Sequence, residues 1–325
     1  MTNFLRHHHR SRLGVFLLAL AVTAVPAMAI DKAHVRKGEA AAARAIDFLR
    51  KAQGSNGSWA PQVGPAVTAM IVSGMLGHPG IDREDPTVAK ALTYILSRQK
   101  DDGGIYDRVL ANYNTSICLM ALGPIGEDPD IKPVVKKAHD FLRGLQWSPD
   151  RKDDEGEIVD KDHPFFGGQG YGKHGRPDLS NTIMMIAGLH DSGLNCNDPA
   201  YTRAMSFISQ LQGVKSNTKL ADQIEPDGGF IYSSSVNKDN VGVPESKVKE
   251  KFIDSLGRSR LRTYGSMTYG GFMSFIYSKL ERDDPRVQAA LGWIRENYTL
   301  EENPRMGKQG YFYYLHLFSR GLQAW

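Results

Sequence analysis

A helical segment carrying a paired apolar position recurs five times along this chain. A helix pair of that length cannot bury both its faces alone, so the copies must stack on one another. The apolar pairs fall at positions 48, 94, 141, 207 and 293, with spacings of 46, 47, 66 and 86 residues. The base period is therefore near 46, and the third and fourth copies carry insertions of roughly 20 and 40 residues.

Each copy follows one pattern: an amphipathic segment, a glutamine, a glycine turn, then a second apolar helix. The first copy has Gln53, Gly57 and Trp59, and the second has Gln99, Gly103 and Ile105. The third has Gln146 and Trp147, the fourth Gln212 with Gly228-Gly229-Phe230, and the fifth has Tyr298 where glutamine is expected. Second helices are expected at 64–76, 112–122, 180–189, 264–280 and 310–322. Between copies stand Asp85-Pro86, Asp128-Pro129, Asp198-Pro199 and Asp284-Pro285. Asp caps a helix and Pro suits its first turn, so each pair predicts a new first helix. The second helices are apolar on most of their circumference, as at 183–189. Such helices belong in a buried inner layer, which favours a closed ring over an open solenoid.

Composition excludes other classes. Hydrophobic residues at 41% and charged residues at 23% fit neither a disordered chain nor a polytopic membrane protein. The formal charge is +4, of which Arg6, Arg10 and Arg12 supply three from an acid-free segment. The remainder is close to neutral, so no nucleic-acid partner is expected. Residues 1–29 have the layout of a secretory signal: a basic start, an apolar run at 13–25, and Ala27-Met28-Ala29. That run is too short for a stable span, although an uncleaved anchor is the alternative. The expectation is cleavage near Ala29 and a mature domain at 30–325. That domain would be periplasmic or extracellular, with no integral membrane span. His7-His8-His9 lies in the segment to be removed. Cys118 sits in an apolar run and Cys196 in a polar loop, so Cys118 reads as a buried thiol.

Leu49-x-x-x-Gln53-x-x-x-Gly57-x-Trp59 resembles the QW repeat of squalene–hopene cyclases and terpenoid cyclases. Asp102-Gly103-Gly104-Ile105-Tyr106 and Asp227-Gly228-Gly229-Phe230 resemble the matching turn there and in protein prenyltransferase β subunits. The resemblance spans about residues 35–325. It implies an all-α fold, an α/α toroid of about five helix pairs lining a central cavity. The ring would be incomplete or closed by the N-terminal helix. Unrelated chemistries share such toroids, so the fold does not fix the activity.

The family's chemistry is then a question of individual residues. Squalene–hopene cyclases carry Asp-x-Asp-Asp-Thr at the start of an inner helix, and its middle Asp protonates the substrate. Asp178-Leu179-Ser180-Asn181-Thr182 resembles it in frame. Asp178 and Thr182 match, but Ser180 and Asn181 replace the acids. A serine hydroxyl is far too weak an acid to protonate an alkene. Asp178 also reads as a plain helix cap. The transferases bind zinc with an Asp-x-Cys signature, which does not occur here, and His316 has no visible Cys partner. No Asp-Asp-x-x-Asp helix is present for magnesium. No metal and no cofactor are expected.

Other constellations read as structure. The acidic loop 148–163 lacks EF-hand spacing and reads as a solvated insertion. Gly167-Gly168-Gln169-Gly170-Tyr171-Gly172 reads as the turn into the third inner helix. Aromatic residues concentrate in 264–325, mostly as core. If the inner helices run parallel, their N-termini converge at one mouth, with the insertion 213–262 as a lid.

The catalytic candidates are Asp178 and Asn181. The cavity candidates are Asp107, Asn112, Asn114, Tyr264, Tyr311, Tyr313 and His316. The leading expectation is an exported cyclase-like or prenyltransferase-like protein that holds an apolar or isoprenoid-like ligand, or a partner, in its cavity. It would lack the cyclase acid and the transferase zinc. The alternatives are an enzyme with a divergent site (cyclase, transferase, or polysaccharide lyase or hydrolase acting on a glycan) and a scaffold for a protein partner. Apolar walls, facing acids or a filled centre would separate them.

Overall fold

The computed structural model describes residues 31–153, 156–172 and 175–325. The signal-like segment 1–29 and two acids of the acidic loop, Asp154 and Glu155, lie outside the described residues. The chain divides into two compact units, residues 1–47 and 48–325. Among the described residues there are ten α-helices: α1 (Lys32–Ala52), α2 (Ala66–Leu76), α3 (Pro86–Leu96), α4 (Ala111–Leu122), α5 (Lys132–Leu145), α6 (Leu179–Asp191), α7 (Pro199–Gln210), α8 (Gly265–Tyr277), α9 (Pro285–Glu296) and α10 (Tyr311–Ala324). The helix-rich architecture follows the sequence pattern, with one departure. The second insertion folds a short antiparallel hairpin, β1 (Lys251–Ile253) and β2 (Ser259–Leu261). Strands of three residues leave no alternation long enough to read.

Asp85, Asp198 and Asp284 cap α3, α7 and α9 by accepting from backbone N–H groups of the first turn. Asp128-Pro129 does not start α5, contrary to the pattern. Ile131 occupies that cap with no side-chain bond, and the Asp128 carboxylate pairs with Arg83 instead.

The glutamines of the repeat join one copy to the next. Gln53 Nε2 donates to its own turn at Gly57 O (3.0 Å) and to Thr87 O in the first turn of α3 (2.9 Å). Gln99 does the same with Gly103 O and Val134 O, at 3.1 and 3.0 Å. Gln146 takes Gly167 O and Ala200 O at 2.9 and 3.0 Å, and Gln212 takes Gly228 O and Arg286 O at 3.0 and 2.8 Å. The partner glycines have positive φ, 87° at Gly57 and 89° at Gly103. A Cβ on them would strike the backbone carbonyls of Lys90, Lys137, Arg203 and Ala289 on the next odd-numbered helix. Glycine is therefore required by conformation and by contact.

A threonine completes each joint. The backbone N–H groups of Trp59, Ile105, Gln169 and Phe230 donate to Thr68, Thr115, Thr182 and Thr268 Oγ1, at 3.0, 2.9, 3.0 and 3.2 Å. Thr182 is thus one of four equivalent threonines. In the fifth copy Tyr298 is exposed and makes no such joint among the described residues.

These joints set α2, α4, α6, α8 and α10 in a consecutive row, each packed on the next. The odd-numbered helices α3, α5, α7 and α9 pack against that row with one apolar face. Residues 114–122 of α4, 179–189 of α6 and 265–275 of α8 are all buried. The helix starts share one end. Asn114 of α4 accepts from Ala66 N of α2 at 3.0 Å, and Asn112 donates to Asn181 of α6 at 3.1 Å. Asn303, just before α10, accepts from Ser266 N of α8 at 2.9 Å.

Helix α10 also lies across α6, running the same way. At one end Tyr313 meets Ser180 (2.7 Å), and at the other Arg320 meets Asp191 (2.6 Å). Between them Ile183 and Leu317 both pack over Gly270 of α8. Positions 313, 317 and 320 share one face of a helix. The two insertions pack together, with Val241 of the second against Trp147, Val159 and Phe165.

The joints should dominate stability. Gln146→Ala leaves buried carbonyls without donors and should cost about 2–4 kcal/mol in urea unfolding. Gly103→Ala should cost a similar ~2–4 kcal/mol through strain and overpacking. Tyr298→Ala, at the unjoined fifth copy, should stay within about 1 kcal/mol. A Gln146→Ala chain as stable as wild type would show that the stack does not depend on the glutamine.

Candidate functional site

The shared end of the even-numbered helices gathers a cluster of tyrosines around one carboxylate. Helix α4 contributes Asn112 and Tyr113, α6 contributes Asp178, Ser180 and Asn181, α8 contributes Tyr264 at its cap, and α10 contributes Tyr313. Ser180 Oγ bonds both the Tyr113 and Tyr313 hydroxyls, so three helices meet at one serine. Tyr171 stacks on Tyr113 with ring centroids 5.9 Å apart, and its hydroxyl lies 3.4 Å from that of Tyr232. Tyr171 is 44% exposed and forms the solvent side of the cluster. Arg176 reaches Glu245 at 2.7 Å, and Lys247 Nζ stands 4.4 Å from the centre of the Tyr232 ring.

Asp178 is buried at the N-cap of α6. Its carboxylate accepts from Asn181 N at 2.8 Å and Asn181 Nδ2 at 2.9 Å. Burial pushes its pKa up to about 6, against the Asn181 donors, the Arg176 charge and the Tyr232 hydroxyl, which all favour the anion. Burial also raises Tyr113, Tyr232, Tyr264 and Tyr313, and the Asp178 charge adds to each. All four are phenols at neutral pH. The cluster can donate hydrogen bonds and present ring faces, and it holds one buried negative charge.

The structure brings together Asp178, Asn181, Asn112, Tyr264 and Tyr313 from the sequence candidates. Asn114 turns away: its Nδ2 donates to Val109 O and Leu110 O while its Oδ1 holds α2. Asp107 borders a separate pocket of about 210 Å³ with Val63 and Arg108. The Tyr311 hydroxyl bonds Leu300 O and its ring meets Phe312, outside the cluster. His316 is partly buried one turn beyond Tyr313. Burial lowers its pKa, the Arg320 charge lowers it further and Asp191 opposes. The sequence reading missed Tyr113, Tyr171, Tyr232 and Arg176. Tyr113 stands between two asparagines it did select, and that neighbourhood was the available signal.

A pocket of about 620 Å³ lies at the opposite end, lined by Gly123, Pro133, Val135, His139 and Ser192. His139 Nε2 lies 2.6 Å from Ser192 Oγ. The Ser192 hydroxyl also donates to Gly188 O at 2.6 Å, so its proton closes α6 and is not held for the imidazole. Among the described residues no three His, Cys, Asp or Glu side chains gather as metal ligands.

The Asp178 pKa gives a pH test. Folding raises it from 3.8 to about 6, so the folded state holds that proton more tightly. Its favourable contribution is complete below the unfolded pKa and is lost as pH rises through 6. Thermal melts should therefore show wild type gaining on Asp178→Asn as pH falls from about 7 to about 4. A constant difference across that window would mean that the carboxyl is solvated.

Comparison with known proteins fits this arrangement. Residues 61–212 match the squalene-hopene cyclase C-terminal domain family. That stretch runs from α2 through Gln212 and includes the Asp178 turn. No curated protein matches the chain. The match over residues 61–212 supports a squalene-cyclase/prenyltransferase-like family for that part of the chain.

Proposed function

We propose that this is an exported, non-cyclising relative of the terpenoid cyclases, a toroid-like frame that works as a binding scaffold through its inserted loops. The observation that carries the reading is the packing of α10 across α6. Tyr313 on Ser180, Leu317 beside Ile183, and Arg320 on Asp191 fill the space between α6 and α10 with the protein's own side chains. A cyclase would need that space for its substrate. The residue in the proton-donor position is Ser180, and its neighbours are phenols, so no group there is acidic enough to protonate an alkene. Asp178, the carboxyl of the cluster, is bonded as a helix cap.

A second reading has one observation in its favour. The Tyr113–Tyr171 stack opens to solvent at Tyr171 and offers ring faces to an apolar or isoprenoid-like ligand. Native mass spectrometry with lipid extraction, on protein from an exported preparation, separates the two. The scaffold reading expects a chain starting at Ile30, no stoichiometric lipid, and no product from squalene. A one-to-one isoprenoid would transfer the function to the tyrosine cluster. A cyclised product would overturn both readings.

A further inference from the structure

Helix α1 carries the face that the other odd-numbered helices bury, and on α1 that face is open. Counted back from its repeat glutamine, α3 buries Thr87, Val88, Ala91, Leu92, Tyr94 and Ile95. Helix α7 buries the same six positions, from Ala200 to Ile208, and α9 buries five of them. The corresponding residues of α1 are Ala41, Ala42, Ala45, Ile46, Phe48 and Leu49. All six are apolar, but no residue of α1 is buried, and Phe48 is 69% exposed. A helix stripe of this kind is built to be covered. In the later copies the cover is the preceding even-numbered helix: α3 packs on α2, α5 on α4, α7 on α6 and α9 on α8.

The fifth copy offers the matching surface. No odd-numbered helix packs on α10 in that way among the described residues. A connected apolar patch stands open there: Tyr298 is 58%, Leu300 50% and Phe312 84% exposed. The Tyr298 ring meets Phe318 at 5.6 Å, and Tyr311 links Leu300 O to the Phe312 ring. Charge marks the same register. Arg50 and Arg143, each three residues before the glutamine, reach Asp85 and Asp198 on the next odd-numbered helix, both at 2.7 Å. Those two carboxylates each stand 14 residues before their own glutamine. The equivalent positions are Arg295 beside Tyr298 and, on α1, Glu39. Both are exposed, and neither makes an ion pair among the described residues.

We propose that a second copy of this chain lays its α1 on the open end of the fifth copy, with Ile46, Phe48 and Leu49 on the Tyr298–Phe312 patch and Glu39 on Arg295. The contact repeats between chains what already holds one copy to the next within a chain: the same helix face, the same register and the same arginine–carboxylate tie. Phe48 and the patch lie in one compact unit and both stand open, so that unit covers neither with the other. The two surfaces differ, so the contact is heterologous, and two copies close it by exchanging α1 reciprocally. Reciprocal exchange makes the contact twice and doubles the area buried. The proposal does not depend on what the tyrosine cluster or the inserted loops bind.

The test is light scattering on the full chain from an exported preparation, over about 1 to about 100 μM, where a dimer of twice the monomer mass should form. Phe48→Asp should weaken it at least about 30-fold, as loss of an anchor side chain does. Arg295→Glu should weaken it at least about tenfold by setting two carboxylates together, and Glu39→Arg/Arg295→Glu should restore it. Both Phe48 and Arg295 are exposed, so the circular dichroism of these variants should match wild type. Cysteines placed by Glu39→Cys/Arg295→Cys, with Cys196→Ser, should cross-link one chain to another under mild oxidation. A monomer throughout the range, a Phe48→Asp chain that dimerises like wild type, or a charge swap that fails to restore the dimer would overturn the proposal. So would a cross-link within a single chain, since α1 would then cover its own fifth copy.

Discussion

A primary amide nitrogen has two N–H groups, and in this protein four glutamines direct both of them to backbone carbonyls. One carbonyl is in the residue's own turn and the other in the first turn of the next odd-numbered helix. The bond pair measures one copy against its neighbour, and positive-φ glycine lets the turn lie directly on that neighbour's backbone. Without that close approach the even-numbered helices would not stand side by side with their starts level. The level starts in turn bring Tyr113, Ser180, Tyr264 and Tyr313 together. The chemistry of the shared end is therefore a consequence of how the copies are joined.

The packing of α10 on α6 combines two kinds of interaction. The ends are polar and the middle is apolar. Ile183 and Leu317 supply burial, which has no preferred register. Ser180–Tyr313 and Arg320–Asp191 act as markers at either end, because sliding α10 by one turn would strand an arginine and a carboxylate. Asp178 adds a strained note to the same region. Its position at a helix N-terminus favours the anion, and its burial disfavours it. The second effect is the larger.

What was legible in the sequence was whatever repeats. The second helices lie within a few residues of the stretches marked by their apolar character, and three of the four Asp-Pro pairs cap helices. The failure at Asp128 has a tertiary cause, since Arg83 takes the carboxylate. Thr182 was legible only as part of a family motif, although Thr68, Thr115 and Thr268 hold equivalent places, because their spacing from the glutamine varies with the insertions. Tyr232 and the hairpin lie inside an insertion, where no period applies. The contact between α10 and α6 involves residues more than 120 positions apart, and no local pattern announces it. The family resemblance told where the fold comes from; it did not tell that Ser180 would be held between two phenols.

The joints also explain where extra chain can be tolerated. Gln and Gly are four residues apart in the first two copies, but 21 apart at Gln146–Gly167 and 16 apart at Gln212–Gly228. The turn-to-threonine link is nine residues at Trp59–Thr68 and 38 at Phe230–Thr268. In every case the same bonds form on the far side of the added sequence. Lengthening such a loop adds only a slowly growing entropy, about 0.6 kcal/mol per doubling. Each joint thus has two sockets that accept foreign peptide without disturbing the helices behind it. In evolutionary terms the frame is a chassis: novelty can accumulate in the sockets while the stacked helices keep their order, and a designer could graft there for the same reason.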